Sequence, residues 1–252
     1  MSKGFSSKWY PPLRGVHLAG FYCIKYLTLS FVQVNSNGVI SFGIEGFRDF
    51  YARSFPFRSP PLIAPFWDDF DPYFSGAIYY RQTNDSDLLQ LFYNYTLLLK
   101  NADSELNEFY PVHLFIATWD QVPPFGLHYF RYVSREVLIL TVVAIMGLLI
   151  LSYIIMIIDL HLQEQLHFNT FQVVLATNGT VTLAAFLYKD IQWGRAQIGF
   201  NSGDGYSYFM LSEVALTDET VNIDELSNVE KPGVFMFRID SKIYSREIIH
   251  VQ

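Results

Sequence analysis

From Tyr26 to Phe42 the chain reads YLTLSFVQVNSNGVISF, two β-rich runs on either side of Asn35-Ser36-Asn37-Gly38. An Asn-Gly pair takes positive φ readily, so this segment predicts a β-hairpin. Pro56, Pro60, Pro61 and Pro65 punctuate the approach to an apolar run at residues 62–67, and GAIYYRQT at 76–83 alternates as a half-buried strand does. Asp68, Asp69, Asp71 and Pro72 supply the turn between these two runs. Strand character returns at residues 112–119 (VHLFIATW), 170–177 (TFQVVLAT) and 180–188 (TVTLAAFLY), the last two flanking a second Asn-Gly pair at Asn178-Gly179. Shorter runs follow at 196–200, 206–211 and 234–239, with Gly199, Gly203 and Gly205 marking turns.

Residues 86–106 (SDLLQLFYNYTLLLKNADSEL) carry β-type aromatics but open on Asp and Ser, which suit a helix cap, and a helix is predicted there. About nine strands and one short helical region predict a mostly β fold of α+β type, an antiparallel sandwich or open barrel. Residues 137–158 (VLILTVVAIMGLLILSYIIMII) break the pattern. They hold no charge over 22 positions, which predicts one long apolar helix inserted mid-domain. At 1.5 Å per residue it would measure about 33 Å, enough to cross a hydrocarbon core of roughly 30 Å.

A chain of 252 residues is long enough to bury a substantial core. Charged residues make up only 16% and aromatics 17%, with 23 Phe and 17 Tyr, a bias toward strands. The formal net charge is −7 and no Lys/Arg run occurs, which excludes nucleic-acid binding as the expected role. The lone Cys23 cannot form an internal disulfide or a CxxC pair, and reads as a small buried apolar side chain. The opening residues contain no apolar core of signal-peptide length, so no signal peptide is expected in this chain.

Several blocks, in order, resemble a known family: VNSNGVISFG, PFWDDFD, GAIYYRQT, FIATWDQV, NTFQVVLATNGTVTLAAFLY, AQIGFNSGDGYSYFML and PGVFMFRID. Together they are similar to the extracellular NIDO domain, the module of nidogen, alpha-tectorin and the sushi, nidogen and EGF-like protein. The resemblance divides the chain into an N-terminal segment (1–25), a first part of the domain (26–123), an insertion (124–168), a second part (169–240) and a C-terminal tail (241–252). It implies a non-catalytic, extracellular-facing module whose partners are matrix or cell-surface proteins, working in cell–matrix adhesion.

The insertion sets two expectations against each other. If residues 137–158 span a bilayer, strands 112–119 and 170–177 lie on opposite sides and cannot share a sheet. Arg131 and Arg135 precede the apolar stretch and no Lys or Arg follows it closely, so charge bias places the N-terminal side in the cytoplasm. That orientation predicts glycosylation at Asn178 and none at Asn94. A membrane location follows from the apolar stretch in either case.

Candidate chemistry is sparse. Asp68, Asp69 and Asp71, with Asp49 upstream, form the sharpest acidic cluster and offer oxygens that suit calcium, without EF-hand spacing. The plainer expectation for them is a turn-capping or solvated loop, and for Phe66 and Trp67 a place in the core. Six histidines (17, 113, 128, 161, 167, 250) show no ligand spacing, and no GxSxG or phosphate-binding glycine motif is present. No catalytic residue and no cofactor is therefore expected. The alternative is a carbohydrate-active enzyme that uses two carboxylates of the 68–71 loop as acid and base. Three sequons, at Asn84, Asn94 and Asn178, are candidate glycosylation sites.

Overall fold

The structure, a computed structural model, describes residues 32–43, 47–100, 104–126, 167–240 and 249–250. The predicted hairpin forms with strands β1 (Val32–Asn35) and β2 (Val39–Phe42), and Gly38 takes φ +76° in its turn. Only glycine fits there, since a Cβ would come within 1.9 Å of the Phe66 carbonyl oxygen. β3 (Leu62–Trp67), β4 (Ala77–Thr83) and β5 (His113–Val122) follow, then β6 (Asn169–Thr177) and β7 (Thr182–Ile191), joined across Asn178-Gly179. The chain continues through β8 (Gln197–Asn201), β9 (Tyr208–Met210), β10 (Leu226–Ser227), β11 (Val234–Arg238) and β12 (Ile249–His250).

Two five-stranded antiparallel sheets result, one in the order β1-β2-β3-β8-β9 and the other β11-β7-β6-β5-β4, with β10 and β12 paired separately. Side chains alternate between the faces of the second sheet. Phe115, Ala117 and Trp119 of β5, Phe171 and Val173 of β6, Phe186 of β7 and Phe237 of β11 meet Ile40, Phe42, Ile63, Phe66 and Phe200 of the first sheet in one buried core. The opposite face, with Leu114, Ile116, Val174, Ala185 and Met236, is covered by helix α1 (Ser86–Lys100) through Leu89, Phe92, Tyr95 and Leu99. Burial on both sides explains why β5, β6 and β7 read as nearly continuous apolar runs.

The expected antiparallel sandwich is thus present, with the helix packed outside it. α1 begins where the sequence places it because Asp85 caps it: its Oδ1 accepts the backbone N–H groups of Asp87 and Leu88, each at 3.1 Å. It ends at Lys100 rather than extending to residue 106, and Ser104–Glu108 form a 3₁₀ turn. The outer face of the first sheet is covered by a loop whose Phe47, Phe55 and Phe57 rings surround Trp67, with centroids 5.1, 6.4 and 5.8 Å away.

β5 and β6 stand on either side of the insertion in sequence and pair directly, from His113↔Thr177 to Val122↔Asn169. Trp119 stacks on Phe171 at 5.0 Å and 11° across this ladder. One sheet therefore holds both halves of the domain in one compartment. This corrects the orientation expected from charge bias, because Asn94 and Asn178 belong to the same folded unit and cannot lie on opposite sides of a membrane. The apolar helix expected at 137–158, the N-terminal segment 1–25 and Cys23 lie outside the described residues. Among the described residues no helix is long and apolar enough to cross a membrane.

Phe171→Ala, which removes a ring packed against Phe66, Phe70 and Trp119, is expected to cost about 3–5 kcal/mol in urea unfolding, whereas Asp85→Ala is expected to cost about 1 kcal/mol. Deleting residues 127–166 leaves β5 and β6 joined by a short loop of the kind antiparallel neighbours use. The shortened chain is expected to unfold in a single cooperative transition. Loss of that transition would show that the deleted residues complete the core.

Candidate functional site

The acidic loop lies at the end of the sandwich where β3 and β5 both terminate, which is also where the chain leaves for and returns from the insertion. Asp68 follows Trp67 directly, and its N–H donates to the Asn37 carbonyl at 3.3 Å, tying the loop to the β1–β2 turn. Its carboxylate is occupied on both oxygens: Oδ1 accepts the N–H of Asp69 at 2.9 Å and Oδ2 that of Arg195 at 3.0 Å. Burial raises the Asp68 pKa above the ordinary carboxylate value, and those two backbone hydrogen bonds oppose the rise. Asp69 is also raised, first by burial and then by the neighbouring charges of Asp68 and Asp71.

Asp71 is buried, and its Oδ1 accepts the Phe74 N–H at 3.3 Å. Its own N–H donates to the Pro123 carbonyl at 3.0 Å, and the Phe125 N–H donates to the Asp69 carbonyl at 2.8 Å. Phe70 forms an isolated bridge with Pro124 and meets the Trp193 ring at 4.9 Å. The loop thus clamps the segment that leaves β5.

A second clamp holds the returning chain. Asn169 Oδ1 accepts the N–H groups of Gln192 (2.9 Å) and Trp193 (3.3 Å), and its Nδ2 donates to the Trp193 carbonyl at 2.9 Å. Gln192 Oε1 accepts the Phe168 N–H at 3.0 Å. Neither Asn169 nor Arg195 stood out in the sequence, because nothing local marks a residue whose partners are more than twenty positions away.

The candidate residues separate on this framework. Asp68, Asp69 and Asp71 share the clamp, while Asp49 pairs instead with Arg53 at 2.6 Å in the loop over the first sheet. Phe66 and Trp67 are fully buried, as expected. Among the described residues no group of three or more His, Cys, Asp or Glu is arranged to hold a metal ion. His113 sits beside Gln82 at 3.2 Å, its pKa lowered by burial. An acid–base pair for glycoside cleavage needs one carboxylate free to donate and one free to accept at a substrate. Here Asp68 accepts two backbone N–H groups and Asp71 is buried, so these two side chains help close the loop against the fold, while Asp69 is partly exposed.

The sequons lie elsewhere. Asn84 is exposed just before α1, and Asn94 is exposed on α1, where its Oδ1 accepts from Gln90 at 3.1 Å. Asn178 sits at the tip of the β6–β7 hairpin, its Oδ1 accepting the N–H groups of Thr180 (3.0 Å) and Val181 (2.8 Å).

With this arrangement in view, the sequence profile described as "Nidogen-like domain" matches residues 30–136 and 158–241, about three quarters of the chain. The chain belongs to the nidogen-like domain family. The two matched blocks leave out residues 137–157, which are the uncharged stretch apart from its last residue. Among known proteins the chain is similar to mouse alpha-tectorin, 30% identical over 239 residues, covering 88% of this chain and 9% of that protein. It is similar to mouse nidogen-2, 30% identical with 88% and 15% covered, and to dendrite extension defective protein 1 of Caenorhabditis elegans, 25% identical with 89% and 16% covered. The chain thus spans a small part of each relative's length. No solved structure matches it.

Substitutions in the clamp follow from its hydrogen bonds. Asp68→Ala strands both the Asp69 and Arg195 N–H groups and is expected to cost about 2–4 kcal/mol, while Asp68→Asn keeps one acceptor and costs less. Asp69 has a raised folded pKa, so its charge opposes folding at neutral pH, and stability from its neutral form is lost as pH rises through that value. Asp69→Asn is therefore expected to raise the urea midpoint at pH 7 and to lose that advantage as the pH is lowered through the carboxylate range.

Asp204 behaves in the opposite way. Its carboxylate accepts the N–H groups of Tyr206 and Ser207, each at 2.7 Å, which holds its pKa well below the usual range. Its contribution is present above the unfolded carboxylate value and is lost as pH falls. Asp204→Ala is expected to flatten the acid limb of the stability profile, and an unchanged limb would contradict this.

Proposed function

We propose that this nidogen-like domain is a non-catalytic extracellular module that binds matrix or cell-surface proteins in cell–matrix adhesion, and that the apolar residues 137–158 attach it to a membrane. The observation that carries the reading is the use of the acidic loop. In the 68–71 loop, Asp68 and Asp71 cap backbone N–H groups and help hold strands and turns together. What remains for recognition is the protein's surface, where Tyr51, Tyr206 and Phe50 are among the most exposed large side chains. Tyrosine-rich surfaces of this kind suit protein recognition. Family membership supports the same reading, since the relatives include proteins named for nidogen and for tectorin.

Membrane attachment has to respect the β5–β6 ladder. Both flanks of the apolar segment return to one end of one sheet, so attachment is made from one face of the bilayer, with the whole folded domain on that side. In this reading the domain faces the extracellular space, and Asn84, Asn94 and Asn178 all meet the glycosylation machinery together.

Beads coated with the chain, applied to decellularised matrix under flow, test the adhesion reading. Several-fold greater retention than beads coated with heat-unfolded chain is expected, and equal retention would overturn it. Expression behind a signal peptide, with single Asn→Gln substitutions and a glycosidase mobility shift, tests the topology. Modification of Asn94 without modification of Asn178 in the full chain, with both modified in the chain lacking residues 127–166, would contradict a single-sided domain.

A further inference from the structure

The two ends of the sandwich differ, and the difference follows from the strand register. At one end lie the last pairs of the β5–β6 ladder, Val122↔Asn169, with the Phe70–Pro124 bridge beside them. At the other end lie His113↔Thr177 and, on the neighbouring strand, Thr83↔Leu114. Asn178 directly follows Thr177 and Asn84 directly follows Thr83, so two of the three sequons sit at this far end, about 30 Å away along a ten-residue strand. The third, Asn94, is exposed on α1, on the flank of the sandwich. No sequon falls at the end built by residues 68–74 and 123–126.

That near end holds two aromatic side chains out to solvent on backbone that is tied down. Tyr73 is 99% exposed in the turn closed by the Phe74 N–H on the Asp71 carbonyl at 3.1 Å. Phe125 is 62% exposed, follows Pro123 and Pro124, and its N–H is held by Asp69 at 2.8 Å. Ten residues separate Gly126 from the uncharged stretch, and eight separate that stretch from His167. Fully extended, such tethers reach about 35 Å and about 28 Å, so any surface that holds residues 137–158 also holds this end of the domain close to it. Aromatic side chains are the type that settles at a lipid–water boundary. The carboxylates of Asp69 and Asp190, which border this end, would be repelled by anionic headgroups, which selects a neutral surface.

We propose that the end of the sandwich formed by residues 68–74 and 123–126 rests on a zwitterionic lipid bilayer, with Tyr73 and Phe125 as its lipid contacts and the glycan-bearing end turned away. The proposal rests on the membrane attachment put forward above. It adds which surface faces the lipid and which lipid charge it accepts.

The test uses the full chain reconstituted with phosphatidylcholine vesicles. In a Cys23→Ser background, single cysteines replacing Tyr73, Phe125 or Asn178 carry an environment-sensitive fluorophore, and the vesicles contain a quencher at headgroup depth. The chain is expected to float with the vesicles, with at least twofold quenching at positions 73 and 125 and none at 178. Flotation with equal quenching at 178, or with none at 73 and 125, would overturn the proposed orientation and leave membrane attachment standing. Failure to float would overturn both. Flotation only with phosphatidylserine vesicles would overturn the choice of a neutral surface. Hydrogen exchange on the unlabelled chain gives a second measure that no substitution can disturb. Amides of residues 70, 71, 73, 74, 125 and 126 are expected to slow on transfer from detergent to vesicles, while those of 178–181 are unchanged, and the reverse pattern would also overturn the orientation.

Discussion

Hydrogen bonding between β5 and β6 is the constraint on which the rest of the structure depends. These strands are buried on both faces, so every unmet N–H or C=O would be left away from water. Their pairing brings Trp119 onto Phe171 and, through Phe171, reaches Phe66 and Phe70 of the opposite face. The polar bonds that cross between the sheets follow the same frame. Trp119 Nε1 donates to the Asn35 carbonyl at 3.0 Å, and the Tyr188 hydroxyl donates to the Pro65 carbonyl at 2.5 Å. A long insertion between paired strands is tolerable because loop-closure entropy grows only with the logarithm of length. Lengthening a six-residue connection to about forty-six costs about 2 kcal/mol, which is smaller than the loss expected from removing one core ring.

Much of this fold was legible in the sequence where the controlling chemistry is local. The Asn-Gly pairs announce the β1–β2 and β6–β7 hairpins, because Gly38 and Gly179 take positive φ. β3 has the predicted bounds, and Ser86 and Asp87 mark the start of α1. The differences arise where a partner distant in sequence decides the outcome. β5 runs beyond Trp119 to Val122 because a bulge carries it on, with Gln121 at φ 52° and its N–H held by Thr170 Oγ1 at 3.1 Å. β7 starts at Thr182 rather than Thr180 because the Asn178 side chain captures the Thr180 and Val181 N–H groups and keeps them in the turn. β10 is two residues long and has no pattern to detect.

The candidate site was less legible for the same reason. A run of aspartates before a proline reads as a turn, and it is one. Its enclosure depends on Arg195, Pro123 and Phe125, which arrive from other strands. Sequence alone left open a solvated loop, a calcium site or a catalytic pair. The hydrogen bonds of Asp68 favour the turn-capping reading, since its two carboxylate oxygens cap the N–H groups of Asp69 and Arg195. The orientation inferred from Arg131 and Arg135 fails more instructively. A two-residue charge bias is a weak preference, whereas moving one half of a sheet across a bilayer would break the whole β5–β6 ladder.

That ladder is the central claim, and a cross-strand disulfide tests it most directly. Thr118 and Gln172 are register partners, and Gln172 Nε2 donates to Thr118 Oγ1 at 2.6 Å. In the full chain with Cys23→Ser, Thr118→Cys combined with Gln172→Cys is expected to form an intramolecular disulfide on mild oxidation, seen as a mobility shift reversed by reductant. Thr118→Cys with Val173→Cys, whose side chains point to opposite faces, is expected to remain reduced. Failure of the first pair to cross-link, or equal cross-linking of both, would contradict the single sheet on which the fold and the proposed function rest.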